Sequence, residues 1–246
     1  MSGSKRVARS IAIGGTSLLL LSAGLPTQAQ GTPIPERPAT PIVAKGTSSA
    51  YNQFRGPNTT RRVVLSYDDC PRSVRDFRRT VLAAKQLRVS LVLFPTGQCV
   101  RSGKIDVTFA RKHGMYVFNH SNNHPKLTRL SYRGITRELG TPGVQANYLR
   151  PPYGAQNKTV RRAAADKGMR IWLWTVDTND WRGKSRTTVV RYVVRTARPG
   201  DTVLMHMQHK AFNPTAVEQM VTGLRKRGLE VCRNTGPTAQ KPKVRC

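Results

Sequence analysis

Short apolar segments alternate with amphipathic helical segments along most of the chain, and this alternation restricts the fold more than any other feature. Seven segments are predicted as strands because they are short and rich in β-branched residues. They are RVVLSY (62–67), VSLVLF (89–94), MYVFN (115–119), NYL (147–149), MRIWLWTV (169–176), TVLMHM (202–207) and LEVC (229–232). Apolar strands separated by helices indicate a parallel sheet covered on both faces.

We therefore predict an α/β fold, a distorted (β/α) barrel with about seven parallel strands in a single domain. An open, doubly wound sheet is the alternative architecture for such an alternation. No glycine-rich phosphate loop follows the first predicted strand, and this favours the barrel.

The two ends of the chain differ from the alternating body. Residues 1–29 have the layout of a secretory signal, in which basic residues precede an uncharged apolar run and a cleavage site expected after Ala29. An uncleaved anchor is the alternative, but the run is short for a membrane span. Residues 30–60 read as a Pro-rich linker, 61–233 as the folded domain and 234–246 as a polar tail. We expect a secreted or cell-wall-associated monomer with no membrane span after cleavage.

Export into an oxidising compartment suggests that the four cysteines form two disulfides. Cys70 and Cys99 follow consecutive predicted strands, and consecutive strands are usually neighbours about 5 Å apart. We predict a Cys70–Cys99 disulfide and a Cys232–Cys246 disulfide that holds the tail. Free buried thiols at Cys70 and Cys99 are the alternative.

The chain is strongly basic, with 42 Lys and Arg against 12 Asp and Glu and a formal net charge of +30. Such a charge indicates a polyanionic partner or surroundings, and nucleic acid, an acidic wall polymer and an anionic membrane all fit it. A solvated exterior with no specific partner is the alternative reading.

Unusual polar residues stand where the predicted strands end, which is where β/α barrels carry their chemistry. Two adjacent aspartates follow the first strand, and two histidines follow the third. An arginine and a tyrosine follow the fourth strand, and further aspartates and a tryptophan follow the fifth. A histidine stands at the end of the sixth strand. They are Asp68, Asp69, His120, His124, Arg150, Tyr153, Asp177, Asp180, Trp181 and His206. Two imidazoles and one carboxylate are a common zinc ligand set that leaves a position for water. We predict that one of the paired aspartates binds the metal and its neighbour acts as a base.

Five motifs in this set resemble those of the polysaccharide deacetylases of carbohydrate esterase family four, across roughly residues 61–233. The motifs are SYDDCP, HSNNHP, RPPYG, DTNDW and LMH, in that order. The resemblance implies that Asp68 is the general base, oriented by Arg150, and that Asp69, His120 and His124 bind a divalent metal, usually Zn²⁺. It also implies that the Tyr153 backbone N–H stabilises the oxyanion. Trp181 and Leu204 would line the acetyl pocket, and His206, held by Asp180, would be the general acid.

Two positions depart from the family pattern. Cys70 replaces a glycine, so the loop is expected to be reshaped or braced by a disulfide. Met207 and Gln208 follow His206 where many members have an aspartate, and we expect this difference to change substrate contacts more than the chemistry.

The sequence thus predicts a metal-dependent deacetylase that acts on a polysaccharide. The substrate that we expect first is the N-acetylglucosamine unit of peptidoglycan or of a chitin-like glycan. Acetylxylan, an ester substrate for the same site, is the second expectation. A non-catalytic basic protein that binds cell wall or nucleic acid is the rival class, and the complete set of ligands, base and acid argues against it. We therefore expect an acetylated polysaccharide as the partner, with anionic wall polymers attracted by the basic surface, and no nucleic acid.

Overall fold

The computed structural model describes residues 51–141, 144 and 146–246, which belong to one compact unit. The predicted signal segment and the linker up to residue 50 lie outside the described residues. Among the helices of the described part, none has the length and apolar character required to cross a membrane.

In the described part of the chain, seven parallel strands form two linked sheets. They are β1 (Val64–Asp69), β2 (Val92–Pro95), β3 (Tyr116–Val117), β4 (Tyr148–Leu149), β5 (Arg170–Ile171), β6 (Val176–Asp177) and β7 (Thr202–His206). The larger sheet has the order β3-β2-β1-β7-β6, and β4 pairs with β5. Asn119 links them, because its N–H donates to the Tyr148 carbonyl (3.1 Å) and its carbonyl accepts from Arg150 N–H (2.9 Å). The predicted α/β fold with parallel strands around one core is confirmed.

Two of the predicted strands differ from the observed ones. The predicted strand 169–176 divides into β5 and β6, because the carbonyls of Trp172 and Leu173 accept hydrogen bonds from the Arg150 side chain instead of a neighbouring strand. The prediction of a full strand at 229–232 is wrong. This segment makes one parallel bridge, Val231 with Val63, at the beginning of the sheet.

Seven α-helices, counted over the described residues, surround the strands. They are α1 (Val74–Gln86), α2 (Gly97–Arg101), α3 (Val107–Lys112), α4 (Tyr132–Glu138), α5 (Lys158–Asp166), α6 (Arg186–Thr196) and α7 (Pro214–Lys226). The hydroxyl of Ser73 accepts from the Asp76 N–H (3.1 Å), so Ser73 caps α1. The α2 helix was not predicted from the sequence.

The core follows the amphipathic pattern of these elements. Helix α1 buries Phe77, Val81 and Ala84 on one face. Helices α1, α6 and α7 pack side by side. A smaller apolar cluster, which includes Ile135, Leu149 and Val160, packs α4 and α5 against the two-stranded sheet. Each fully buried Leu, Ile or Phe side chain contributes about 1.5–3 kcal/mol, and this packing holds the strand ends in place.

Both predicted disulfides, Cys70–Cys99 and Cys232–Cys246, are present. The first joins the loop after β1 to α2, and the second anchors the last residue of the chain. The tail is also held by the Arg245 N–H, which donates to the Tyr116 hydroxyl (2.9 Å).

Residues 51–60 lie against the domain, although the linker was expected to reach residue 60. The Tyr51 hydroxyl donates to the Ile171 carbonyl (2.7 Å), and the Arg55 Nε donates to the Gly200 carbonyl (3.0 Å). These side-chain contacts could not be read from the local proline content. The folded part therefore begins before residue 61.

Candidate active site

A cleft of about 440 Å³ opens at the carboxyl ends of the strands. In the register of the sheet, Asp68 of β1 pairs with His206 of β7. Eight of the ten predicted site residues line the cleft: Asp68, Asp69, His120, His124, Tyr153, Trp181, Leu204 and His206. The other two, Arg150 and Asp180, are buried behind it. The parallel sheet thus brings all ten residues into one region.

Asp69, His120 and His124 form a group that fits a divalent metal ion. Their candidate ligand atoms all lie within 4.8 Å of one another. Asp69 Oδ1 is 3.4 Å from His120 Nε2 and 3.4 Å from His124 Nε2. Ligand atoms bound at about 2.0–2.1 Å around a tetrahedral ion are about 3.3 Å apart. The spacing and chemistry of the three side chains therefore suit such an ion.

Neighbouring groups orient these ligand atoms. His120 Nδ1 lies 2.7 Å from the Arg150 carbonyl, to which it donates, and this leaves Nε2 free for the metal. The Gln208 Nε2 donates to Asp69 Oδ2 (2.7 Å), so one oxygen of Asp69 is held while the other faces the histidines. Sequence reasoning noted Gln208 only as a departure from the family pattern and did not predict this contact.

The charge states follow from the same contacts. Burial raises the pKa of Asp69, but the hydrogen bond and charge of His120 and the Gln208 amide outweigh it, so the pKa is lowered overall. Burial and the charge of His120 lower the pKa of His124. Burial also opposes protonation of His120, but Asp68 and Asp69 raise its pKa overall. An ionised carboxylate and a neutral His124 are the forms that bind metal.

Asp68 is held by Arg150 from behind the cleft. Arg150 Nη1 donates to Asp68 Oδ1 (2.7 Å) and to Ser66 Oγ (3.0 Å). The remaining nitrogens of this buried guanidinium donate to the Trp172 and Leu173 carbonyls, at 3.1 and 3.0 Å. The arginine is therefore fixed, and it fixes one oxygen of Asp68. The other oxygen, Oδ2, faces the metal group.

His206, on the strand next to that of Asp68, is held by Asp180. Its Nδ1 lies 2.7 Å from Asp180 Oδ1, and its backbone N–H donates to Asp180 Oδ2 (2.9 Å). Burial lowers the pKa of His206, but the hydrogen bond to Asp180 and the charge of Asp68 raise it above the usual value overall. The arrangement leaves His206 Nε2 for the cleft and favours its protonated form.

The loops that carry the site are conformationally strained. Seven non-glycine residues of the described part have a positive φ, and five of them lie in these loops: Asp69, Ser121, His124, Tyr153 and Asn179. Such conformations cost of order 1 kcal/mol or more and cluster at functional sites. In the first motif the strain falls on Asp69 (φ 70°), while the disulfide of Cys70 braces the loop.

Apolar and aromatic side chains border the metal group. Leu204 is buried, and Trp181 and Tyr153 are 49% and 67% exposed at the rim. The Tyr153 ring lies edge-on to His124, with centroids 4.8 Å apart. Trp174 also lines the cleft. The sequence did not reveal Trp174, because the residue lies where the predicted strand 169–176 breaks.

Comparisons with known proteins identify the family to which this chain is similar. Residues 55–172 match the family model described as polysaccharide deacetylase. The peptidoglycan-N-acetylglucosamine deacetylase PgdA of Listeria monocytogenes is 30% identical over 224 residues, which are 84% of this chain and 47% of PgdA. The chain thus spans about half the length of this curated relative.

Solved structures with the same fold include both an enzyme and a protein described as inactive. Peptidoglycan deacetylase PdaC from Bacillus subtilis superposes with a TM-score of 0.62 at 26% identity, covering 71% of this chain and 88% of that one. A family-four pseudoenzyme from Bacillus anthracis superposes with a TM-score of 0.61 at 26% identity, covering 71% and 64%. The matched family model and these neighbours show that the chain carries a polysaccharide deacetylase domain of carbohydrate esterase family four.

Proposed function

We propose that this protein is a zinc-dependent deacetylase that hydrolyses acetyl groups of a polysaccharide, with N-acetylglucosamine units of peptidoglycan or a chitin-like glycan as substrate. The observation that carries the proposal is the complete set of groups in one cleft. A two-histidine, one-carboxylate site lies beside an aspartate held by Arg150 and a histidine held by Asp180. A protein that only bound the polymer would not need the two buried partners, Arg150 and Asp180.

Each side chain has a role in the proposed reaction. Zinc held by Asp69, His120 and His124 would supply a polarised acetyl carbonyl and a bound water of lowered pKa. Asp68, oriented by Arg150, takes a proton from the attacking water at Oδ2. His206 donates a proton from Nε2 to the leaving nitrogen, and Asp180 keeps that histidine protonated and oriented.

The walls of the cleft bind the acetyl group in this proposal. The Tyr153 backbone N–H donates to the carbonyl oxygen as negative charge develops there, which stabilises the transition state by about 3 kcal/mol. Leu204 and Trp181 contact the methyl group and exclude water from it. The left-handed backbone at Tyr153 supports this role, because such conformations cost free energy and are found mostly at functional sites.

We place the enzyme outside the cell, secreted or associated with the wall. Two disulfides suit an oxidising compartment, and relatives named for peptidoglycan act on a wall polymer. The predicted signal segment agrees with this location. The net charge of +30 would attract acidic wall polymers to the basic surface.

The test is acetate release from N-acetylchito-oligosaccharides, peptidoglycan and acetylxylan, measured with zinc-loaded, chelated and zinc-restored protein. We expect release from at least one N-acetylated glycan, loss after chelation and recovery with zinc. Faster release from acetylxylan would make the protein an esterase on the same site. Stoichiometric zinc without acetate release from any substrate would assign the chain to the non-catalytic class.

A further inference from the structure

A second cavity of about 440 Å³ lies beside the catalytic cleft, and the charged residues of its lining are mostly basic. The loop before α1, the α1 and α6 helices, and the segment that leads into the first residues of α7 contribute the side chains. The charged and titratable residues that line it are Arg72, Arg79, Arg186, His209, Lys210 and Asp76. We name this site the basic cavity.

Most of the positive charges of the basic cavity have no ion-pair partner among the described residues. In the described part of the chain, no carboxylate forms an ion pair with Arg79, Arg186 or Lys210. The one acid of the lining, Asp76, accepts from the Ser73 hydroxyl (2.8 Å) within the cap of α1. Like charges gathered in a concave site repel one another unless an anion lies between them.

The basic cavity is joined to the catalytic cleft by the segment after β7. The Arg72 Nε donates to the Gln208 carbonyl (3.0 Å), and the Gln208 side chain donates to Asp69 (2.7 Å). The rings of His206, in the cleft, and His209, in the basic cavity, have centroids 5.9 Å apart. A group in the basic cavity would therefore lie close to a substrate in the cleft.

We propose that the basic cavity is a subsite for an anionic substituent, a carboxylate or a phosphate, that the glycan carries near the acetylated sugar. This assignment rests on the proposed function and narrows its substrate class to acidic glycans. The Arg72 Nε is committed to Gln208, and its two terminal nitrogens make no hydrogen bond to any described residue. Guanidinium groups bind carboxylate and phosphate through paired hydrogen bonds, which fits a localised anion rather than a diffuse field.

The test compares two triple variants that remove the same net charge. The first changes the basic cavity: R79Q, R186Q and K210Q. The control changes Lys85, Arg195 and Lys226, which lie in the last turns of α1, α6 and α7: K85Q, R195Q and K226Q. All six side chains are exposed, so both variants are expected to fold, and thermal unfolding checks this.

The substrates are three oligosaccharides of equal length that contain N-acetylglucosamine. One is neutral, one carries carboxylates as a peptidoglycan strand without peptides does, and one carries phosphates. At constant salt, the basic-cavity variant should raise KM for an anionic oligomer about tenfold, as expected when one charge-assisted hydrogen bond is lost. KM for the neutral oligomer should not change, and the control variant should resemble wild type on all three. If the increase in KM of the basic-cavity variant is confined to the carboxylated or to the phosphorylated oligomer, the result supports the subsite and identifies the anion that it binds.

An equal increase in KM for the anionic oligomers in both triple variants would show a long-range effect of net charge and would overturn the proposal. An unchanged KM in both variants would also overturn it. Calorimetric titration of the anionic oligomers gives the dissociation constant without turnover. If no oligomer releases acetate, the proposed function fails, while a selective loss of binding in the basic-cavity variant still supports the subsite. Equal binding by all three proteins would then reject it.

Discussion

Asp68 and Asp69 are adjacent in the chain, but different partners hold them. Asp68 is bound by the buried Arg150, whereas Asp69 is bound by Gln208 and faces both histidines. Successive residues of a strand point to opposite sides, and the left-handed backbone at Asp69 (φ 70°) turns its carboxylate back into the cleft. Two carboxylates can therefore serve one cleft in different roles.

Replacing each aspartate should separate the roles. Asp68→Asn removes the base, so we expect a 10²–10⁴-fold loss of kcat, about the usual contribution of general base catalysis, with zinc content near normal. Asp69→Ala, His120→Ala and His124→Ala should lose zinc as well as activity. Elemental analysis and acetate release measure the two effects. A zinc-free Asp68→Asn together with an active Asp69→Asn would reverse the assignment.

The contact between Asp180 and His206 should set the alkaline limb of the pH profile. The raised pKa of His206 keeps this proposed general acid protonated to higher pH, so we expect activity to be lost as pH rises through that pKa. Asp180→Asn removes the hydrogen bond to a carboxylate, lowers the pKa of His206 and should move the alkaline limb of kcat/KM to lower pH. Asp166→Asn, on the exposed side of α5, is the control. An unshifted limb would show that His206 is not the acid.

At the scale of elements, the sheet and the loops after it depend on each other. The carboxyl ends of β1, β3, β4, β6 and β7 present the site residues, and the Cys70–Cys99 disulfide ties the loop after β1 to α2. Because Asp69 immediately precedes Cys70, we expect this disulfide to restrain the proposed metal ligand Asp69. The Cys232–Cys246 disulfide only anchors the tail.

Removing the two disulfides separately should therefore have different consequences. The loops they close have sequence separations of 29 and 14 residues, for which chain entropy gives about 3.5 and 3 kcal/mol of stability. The variant with Cys70→Ser and Cys99→Ser should lower both thermal stability and zinc affinity. The variant with Cys232→Ser and Cys246→Ser should lower stability alone. Equal zinc affinities in the two variants would show that the Cys70–Cys99 disulfide does not restrain Asp69.

At the scale of the whole molecule, the excess of positive charge acts over longer distances than the site does. The attraction of a +30 surface to an acidic polymer is screened where the Debye length is about 10 Å. The groups that carry the proposed chemistry are in direct contact inside a partly buried cleft, so salt affects them less.

Rising salt should therefore slow action on intact, acidic cell wall while turnover of a short neutral chito-oligosaccharide changes little. Both rates are followed by acetate release from low to high ionic strength. If salt affects both substrates equally, or does not change the rate on cell wall, the basic surface does not contribute to the attraction of the substrate.

The sequence by itself determined the parallel sheet and the residues grouped at its carboxyl end. Strand and helix periodicity is local, and parallel strands place their carboxyl ends together whatever the details of packing. The polar residues at the strand ends could therefore be named in advance, whereas Leu204 and the roles of Tyr153 and Asp180 came only from the family resemblance. The pairing of Cys70 with Cys99 followed from the same argument.

Only the tertiary structure decided which residues support the site from elsewhere. The Gln208 contact with Asp69 spans 139 residues of sequence, and the division of 169–176 into β5 and β6 depends on hydrogen bonds from Arg150. The basic cavity likewise combines exposed arginines of α1 and α6 that look like ordinary surface charges in the sequence. Such contacts depend on how side chains from distant segments meet, and local patterns carry no information about that.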